Sequence, residues 1–76
     1  MERTIKFYDK EFEKEVSHTF RIEEECFWVE FSDGNQTYDI HYHEDGDKDL
    51  ICVYRVINGV TDTSNVIYSE KIFEEC

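Results

Sequence analysis

Apolar and polar residues alternate along much of this chain, which is the pattern of half-buried β-strands. Ile5 and Phe7 alternate with polar neighbours near the start. In residues 27–31 and again in residues 38–42, an apolar residue recurs at every second position. Because successive side chains of a strand point to opposite faces, each segment would present one continuous apolar face. The pattern therefore predicts a mainly β fold.

A hairpin is predicted around the sequence Asp33-Gly34-Asn35-Gln36, which has the composition of a tight turn between strands. A turn at this place pairs residues whose numbers sum to 69, as 33 and 36 do. Val29 then lies opposite Ile40. This register brings the alternating apolar residues of both strands, Phe27, Val29, Phe31, Tyr38, Ile40 and Tyr42, onto one face, and a shift by one residue would separate them.

The next strand, Leu50–Ile57, is predicted to lie in the centre of the sheet. The acidic turn Glu44–Asp49, with Gly46-Asp47 as its central pair, would join it to the hairpin and place Ile51 opposite Tyr42. Apolar residues occupy both faces of this strand. Such a pattern is typical of a strand that is covered on both sides.

The two ends of the chain are less regular. A final strand is predicted from Asn65 to Phe73, after a loop from Asn58 to Ser64. Residues 9–18 fit a helix that begins at Asp9, but they also fit strand alternation; we predict a hairpin strand, with a short helix as the alternative. The expected fold is thus a small antiparallel meander sheet of four to six strands in a single domain, residues 1–76, with an α+β arrangement as the alternative.

The size and composition of the chain limit the class of protein. A chain of 76 residues buries only about 60% of its unfolded surface, which is too little for a two-domain enzyme. Leu, Ile, Val and Phe together account for 20 of the 76 residues, about a quarter of the chain. This fraction is above the roughly 20% that characterises disordered chains. No apolar segment at the N-terminus resembles a targeting signal, and three cysteines do not form a disulfide framework. A folded cytoplasmic domain is expected.

The net charge of the chain limits the classes of molecule that it can bind. Nineteen acidic residues against eight basic ones give a formal charge of −11. A surface this negative repels phosphates, so we expect neither direct nucleic-acid binding nor attachment to an anionic membrane. The partner we expect is a protein with a basic surface.

Few residues have the spacing that catalysis or metal binding requires. Asp45–Asp49 resembles the start of a calcium loop but lacks the glycine and the final glutamate of that motif. His41 and His43 point to one face, and the register adds Cys26 and Cys52, but two strands separate the cysteines, which is too far for tetrahedral zinc. We predict no enzymatic activity, no metal and no cofactor.

Clusters of acidic residues are the strongest functional signal. They would lie at the ends of the sheet, and the candidate partner-binding acids are Glu23, Glu24, Glu25, Glu44, Asp45, Asp47 and Asp49. A further row, Glu11, Glu13 and Glu15, would space its charges about 6.7 Å apart if it lay on one strand, comparable with phosphates along a nucleic acid. The alternative is that these acids only keep the domain soluble.

Aromatic residues on the second face of the sheet form another candidate surface. By the predicted registers, Trp28, His41 and Tyr54 lie opposite the main core. We expect Trp28 and Tyr54 to contact the target or to form a homodimer interface, with His41 at its edge, because Trp and Tyr often dominate binding energies. The alternative is that the N-terminal hairpin folds over them as a second core layer.

In size and acidity the chain resembles phage-encoded anti-CRISPR and other anti-defence inhibitors, and immunity proteins; no motif carries this resemblance. It implies a nucleic-acid mimic, an inhibitor that masks the basic, nucleic-acid-binding surface of a nuclease or of a defence or toxin protein. The alternative is a structural or homo-oligomerisation module whose acids confer solubility alone.

Overall fold

The computed structural model describes residues 2–45 and 48–73 of the chain. These residues form six strands: β1 (Glu2–Asp9), β2 (Lys14–Arg21), β3 (Cys26–Asp33), β4 (Gln36–Asp45), β5 (Lys48–Ile57) and β6 (Val60–Phe73). The mainly β, antiparallel fold is confirmed. Within the described ranges there is no helix of the length and apolarity needed to cross a membrane.

Strands β1 and β2 form a separate two-stranded hairpin, so the helix alternative for residues 9–18 is wrong. Phe7 pairs with Val16, and strand alternation continues through both segments. Phe12 lies in the connecting turn, where 48% of it is exposed, and not in an apolar row. Asp9 does accept a backbone hydrogen bond, from the N–H of Glu11 at 3.1 Å, but the bond stabilises a turn and not the start of a helix.

The other four strands form an antiparallel meander in the order β3-β4-β5-β6. Val29 pairs with Ile40 and Tyr42 with Ile51, which confirms both predicted registers. The β3–β4 turn has two central residues, and its first, Gly34, has a φ of 65°. A glycine at this position is what a type II′ hairpin turn requires.

The loop predicted for residues 58–64 is wrong, because the chain turns at Asn58-Gly59 and β6 begins at once. These two residues have φ values of 52° and 78°, which fit a type I′ hairpin turn. The four polar residues 62–65 of β6 lie between the paired residues Thr61 and Val66. On β5, only Arg55 lies in the corresponding interval. The four polar residues form an irregular bulge in the strand, which absorbs the extra length without ending the pairing.

The core lies between the hairpin and one face of the four-stranded sheet. Phe7 packs edge-to-face on Tyr38, with the ring centroids 5.4 Å apart. The buried apolar residues of the core are Ile5, Phe7, Val16, Phe20, Phe31, Tyr38, Ile40, Tyr42, Ile51 and Val53. The hairpin therefore covers the face that carries Tyr38 and Ile40, and the alternative in which it folds over Trp28 is wrong.

Two ion pairs join the layers at opposite ends of β1. At one end, Asp9 is paired with Arg55 at 2.7 Å and accepts a hydrogen bond from the Tyr38 hydroxyl at 2.6 Å. Burial by itself would raise the pKa of Asp9, but the hydrogen bonds from Tyr38 and Arg55 outweigh it and hold that pKa below 3.8. At the other end, Arg3 contacts Asp49 at 3.3 Å.

Candidate protein-binding surface

The face of the four-stranded sheet that points away from the hairpin is here called the outer face. Trp28 and His41 are directly paired across β3 and β4, and their rings are stacked with centroids 4.4 Å apart and planes 5° apart. The Tyr54 ring follows on β5, 4.6 Å from that of His41. These three side chains, the aromatic row, lie in a line across three strands, as the sequence predicted.

Trp28 is the most exposed member of the aromatic row, with 69% of its surface accessible. Among the described residues no element packs over the outer face. Its other apolar residues are the half-buried Leu50, Cys52 and Val56 and the exposed Val66. Apolar side chains that are contiguous and open to solvent on a small domain commonly mark an interaction surface.

His41 is fixed in the centre of the row by a polar contact. Its Nε2 atom lies 3.2 Å from Oδ2 of Asp39, a buried carboxylate that also accepts a hydrogen bond from the Thr61 hydroxyl at 2.9 Å. Burial raises the pKa of Tyr54, and the neighbouring Cys52 thiol adds to the effect. The contact with Asp39 therefore positions His41, on which Trp28 stacks, before any partner binds, and this reduces the entropy that binding must remove.

A second surface gathers acidic residues at one end of the molecule. Glu23, Glu24 and Glu25 lie in the connection from β2 to β3, and Glu44 of β4 lies beside them. The backbone N–H of Glu44 donates to the carbonyl of Glu25 at 2.7 Å, which fixes the connection against the sheet. These four residues are here called the acidic end. The structure thus brings together four of the acids that the sequence singled out.

The other predicted acids do not join this cluster in the same way. Asp49 is 1% exposed and is paired with Arg3, so its carboxylate belongs to the core and not to the surface. The sequence pattern concealed this, because an acid in a turn region was expected to be solvated. Asp47 and the side chain of Asp45 lie outside the described residues.

The predicted acidic row of residues 11, 13 and 15 is also wrong. Glu11 and Glu13 belong to the turn between β1 and β2, and only Glu15 is in a strand. The Glu11 carboxylate instead forms an ion pair with the Arg55 guanidinium, with an N–O distance of 2.8 Å. The three carboxylates therefore do not line one face.

The cysteine and histidine positions follow the predicted register. Cys26 pairs with His43, and Cys52 pairs with His41. Within residues 2–45 and 48–73, no three metal-ligating side chains converge on one point. Both pairs therefore remain isolated contacts across neighbouring strands.

Sequence reasoning missed one polar site, a shallow cavity beside the buried pair of Asp9 and Arg55. Lys10 and Asn65 contribute to its lining, and the Arg55 guanidinium also lies over the Phe12 ring, 5.4 Å from its centroid. A signal was available, because Arg55 interrupts the apolar alternation of β5. Two carboxylates, those of Asp9 and Glu11, already neutralise this arginine, so its guanidinium does not offer an anion an uncompensated positive charge.

The aromatic row and the acidic end both border β3. Glu25 and Trp28 are three positions apart, which is about 10 Å along an extended strand, so one partner can contact both. Glu30 continues the negative charge further along the same strand. Comparison with known proteins gave no match for this chain, neither to a protein-family model, nor to a curated protein, nor to a solved structure.

Proposed function

We propose that this domain is an acidic, protein-binding inhibitor that masks a basic, nucleic-acid-binding surface of its partner. The partner would be a nuclease or another defence or toxin protein. The observation that carries the proposal is the exposed aromatic row, which lies beside the acidic end at the start of β3. It combines an apolar anchor with charges of one sign.

The two parts of this surface have different physical roles. Trp and Tyr side chains supply large contact areas and are enriched among the residues that dominate binding energies. Carboxylates at the rim of an interface mainly accelerate association with an oppositely charged surface. A net charge of −11 adds a long-range attraction to any basic protein. A partner would thus be steered by charge and held by aromatic contacts.

The size of the domain is sufficient for such an interface. Its principal extents are 39, 22 and 21 Å. One long side therefore presents an area close to the roughly 800 Å² that each partner contributes to a standard interface. A single domain of this size can cover a nucleic-acid channel without further domains.

The test uses the partner isolated from the native host by affinity capture on the wild-type domain. A triple charge reversal, Glu23→Lys, Glu24→Lys and Glu25→Lys, is compared with a control reversal of the same size, Glu13→Lys, Glu15→Lys and Asp62→Lys, away from the acidic end. The first variant should associate about tenfold more slowly at low salt, because it removes the steering charges nearest Trp28. The control should associate almost as fast as the wild type.

A second measurement tests the masking itself. Saturating wild-type domain should abolish binding of a fluorescent DNA duplex to the partner, while the Glu23–Glu25 reversal variant should restore it at the same domain concentration. Equal association rates for the two reversal variants, or undiminished DNA binding by the saturated partner, would contradict the proposal.

The outer face also favours a second candidate, a homo-oligomerisation module. Two copies could bury their aromatic rows against each other, although the charge of −11 on each copy opposes their approach. Sedimentation equilibrium at low and high salt tests this. A dimer that strengthens with salt and is lost in Trp28→Ala would favour oligomerisation over inhibition.

A further inference from the structure

Strand β3 is one of the two edges of the four-stranded sheet. In an antiparallel ladder, alternate residues direct their backbone N–H and C=O groups towards the neighbouring strand, and those between them point away. Because the backbone N–H of Glu44 donates to the carbonyl of Glu25, the odd-numbered residues of β3 direct their backbone groups towards β4. The backbone groups of Cys26, Trp28, Glu30 and Ser32 therefore point out of the sheet.

These four residues leave a free edge that runs the length of β3. Their side chains are all exposed. Among the described residues, no side chain or backbone group forms a hydrogen bond with their outward-pointing N–H and C=O groups. A row of unpaired backbone groups of this kind is a template for an additional strand.

The two edges of the sheet differ in how well they resist such pairing. The β6 edge is interrupted by register shifts opposite Val53–Val56. By contrast, β3 keeps one uninterrupted register over all eight residues, from Cys26 to Asp33. It contains no proline, lysine or bulge, which are the usual devices that protect an edge strand.

We propose that the partner adds an extended, basic segment to the free edge of β3 as a fifth, antiparallel strand of the sheet. This inference rests on the proposed function and names the part of the partner that the domain holds. Strand addition of this type takes its affinity from main-chain hydrogen bonds and its specificity from alternate side chains. Both components are available along β3.

The side chains of β3 define the segment that fits. On the outer face, an arginine beside Trp28 can stack on the exposed indole, and another can pair with Glu30. On the inner face, Phe27 and Val29 are half-buried at the margin of the core, where an apolar side chain would extend the packing. The fitting segment therefore alternates basic and apolar residues. A second copy of β3 lacks this pattern, because its only charged residues are Glu30 and Asp33.

The test uses the full chain, labelled with ¹⁵N, and a synthetic peptide of eight residues that alternates arginine and valine. Two methylated peptides of identical charge serve as a matched pair, one N-methylated at every arginine and the other at every valine. With arginine on the outer face, the arginine N–H groups point to β3 and the valine N–H groups point to solvent. Methylation at arginine should weaken binding at least about tenfold, since it removes several main-chain hydrogen bonds. Methylation at valine should leave it nearly unchanged.

The amide signals provide the second readout. On binding the parent peptide, the amide hydrogens of Cys26, Trp28, Glu30 and Ser32 should become protected from exchange. Equal binding of the two methylated peptides, or no binding of the parent, overturns strand addition. Protection of these amides in the free protein that grows with protein concentration also overturns it, because the occupant is then a second copy.

Failure here is distinguishable from failure of the proposed function. If both methylated peptides bind equally and the shifts are confined to Glu23–Glu25, strand addition is wrong while acidic recognition stands. If the charge-reversal variants associate equally with the captured partner, the proposed function fails, whatever the peptides do.

Discussion

Replacing Trp28 by alanine separates an interface residue from a core residue. About a third of this side chain is buried, since 69% of it is accessible. An aromatic side chain buries roughly 150–250 Å² when fully enclosed, so about 50–80 Å² is lost here, worth about 1–2 kcal/mol at about 25 cal/mol per Å². Because unfolded chains already bury part of their surface, the lower end of this range is the better expectation.

Phe20→Ala provides the matched control, because Phe20 is buried in the core and contacts Tyr42 and Phe27 edge-on. Removing a buried aromatic ring destabilises a protein by about 3–5 kcal/mol. Urea unfolding followed by circular dichroism measures both variants. For a domain of this size, about 1 kcal/mol corresponds to a decrease in melting temperature of about 4–8 °C.

In the same Trp28→Ala protein, partner binding should decrease by more free energy than stability does. A residue at the centre of an interface contributes about 2 kcal/mol or more, which is roughly a thirtyfold increase in Kd. Binding is measured by calorimetry at a temperature where the variant is fully folded. A loss of stability equal to that of Phe20→Ala, with unchanged affinity for the partner, would place Trp28 in the structural core and refute this reasoning.

Three further predictions concern the stability of the fold. Asp9→Asn should destabilise the domain by about 1.5–3 kcal/mol, because it removes one charged hydrogen-bond partner of the buried Arg55 while Glu11 remains paired with it; urea unfolding at pH 7 measures this, and a loss below about 1 kcal/mol would contradict it. Burial lowers the pKa of His18 from its usual value of 6.5, so stability should decrease as the pH falls from 7 through the folded pKa, and His18→Gln should show a flatter dependence in the same melts. Gly59→Ala should cost about 1–2 kcal/mol of unfolding free energy, because the φ of 78° is unfavourable for alanine while the space around it is open. Asn58→Gly, made as a separate variant, should keep the wild-type stability, because glycine readily adopts the positive φ of the turn.

The strands and their registers could be predicted from the sequence because their determinants are local. A period of two identifies a strand, and a two-residue turn at Gly34 fixes which residues are paired. Val29 and Ile40 therefore lie opposite each other as expected. The composition of the outer face followed from the same registers, which is why Trp28 and Tyr54 were recognised as one surface.

Features that depend on contacts between layers could not be predicted in this way. Arg55 and Asp9 are 46 residues apart, and no local pattern links them. The apolar residues on both faces of β5 also left open which face the hairpin covers. Asp49 was mistaken for a surface acid because its partner, Arg3, lies in the other layer.

The two interlayer ion pairs have a consequence for the direction in which the hairpin sits on the sheet. Arg3 and Asp9 are six residues apart on β1, and Asp49 and Arg55 are six residues apart on β5. If the hairpin packed on the sheet with the direction of β1 reversed, Arg3 would face Arg55 and Asp9 would face Asp49. Each buried like-charge contact would then be strongly unfavourable. The order of charges along the two strands therefore favours the observed orientation of the hairpin over the reversed one.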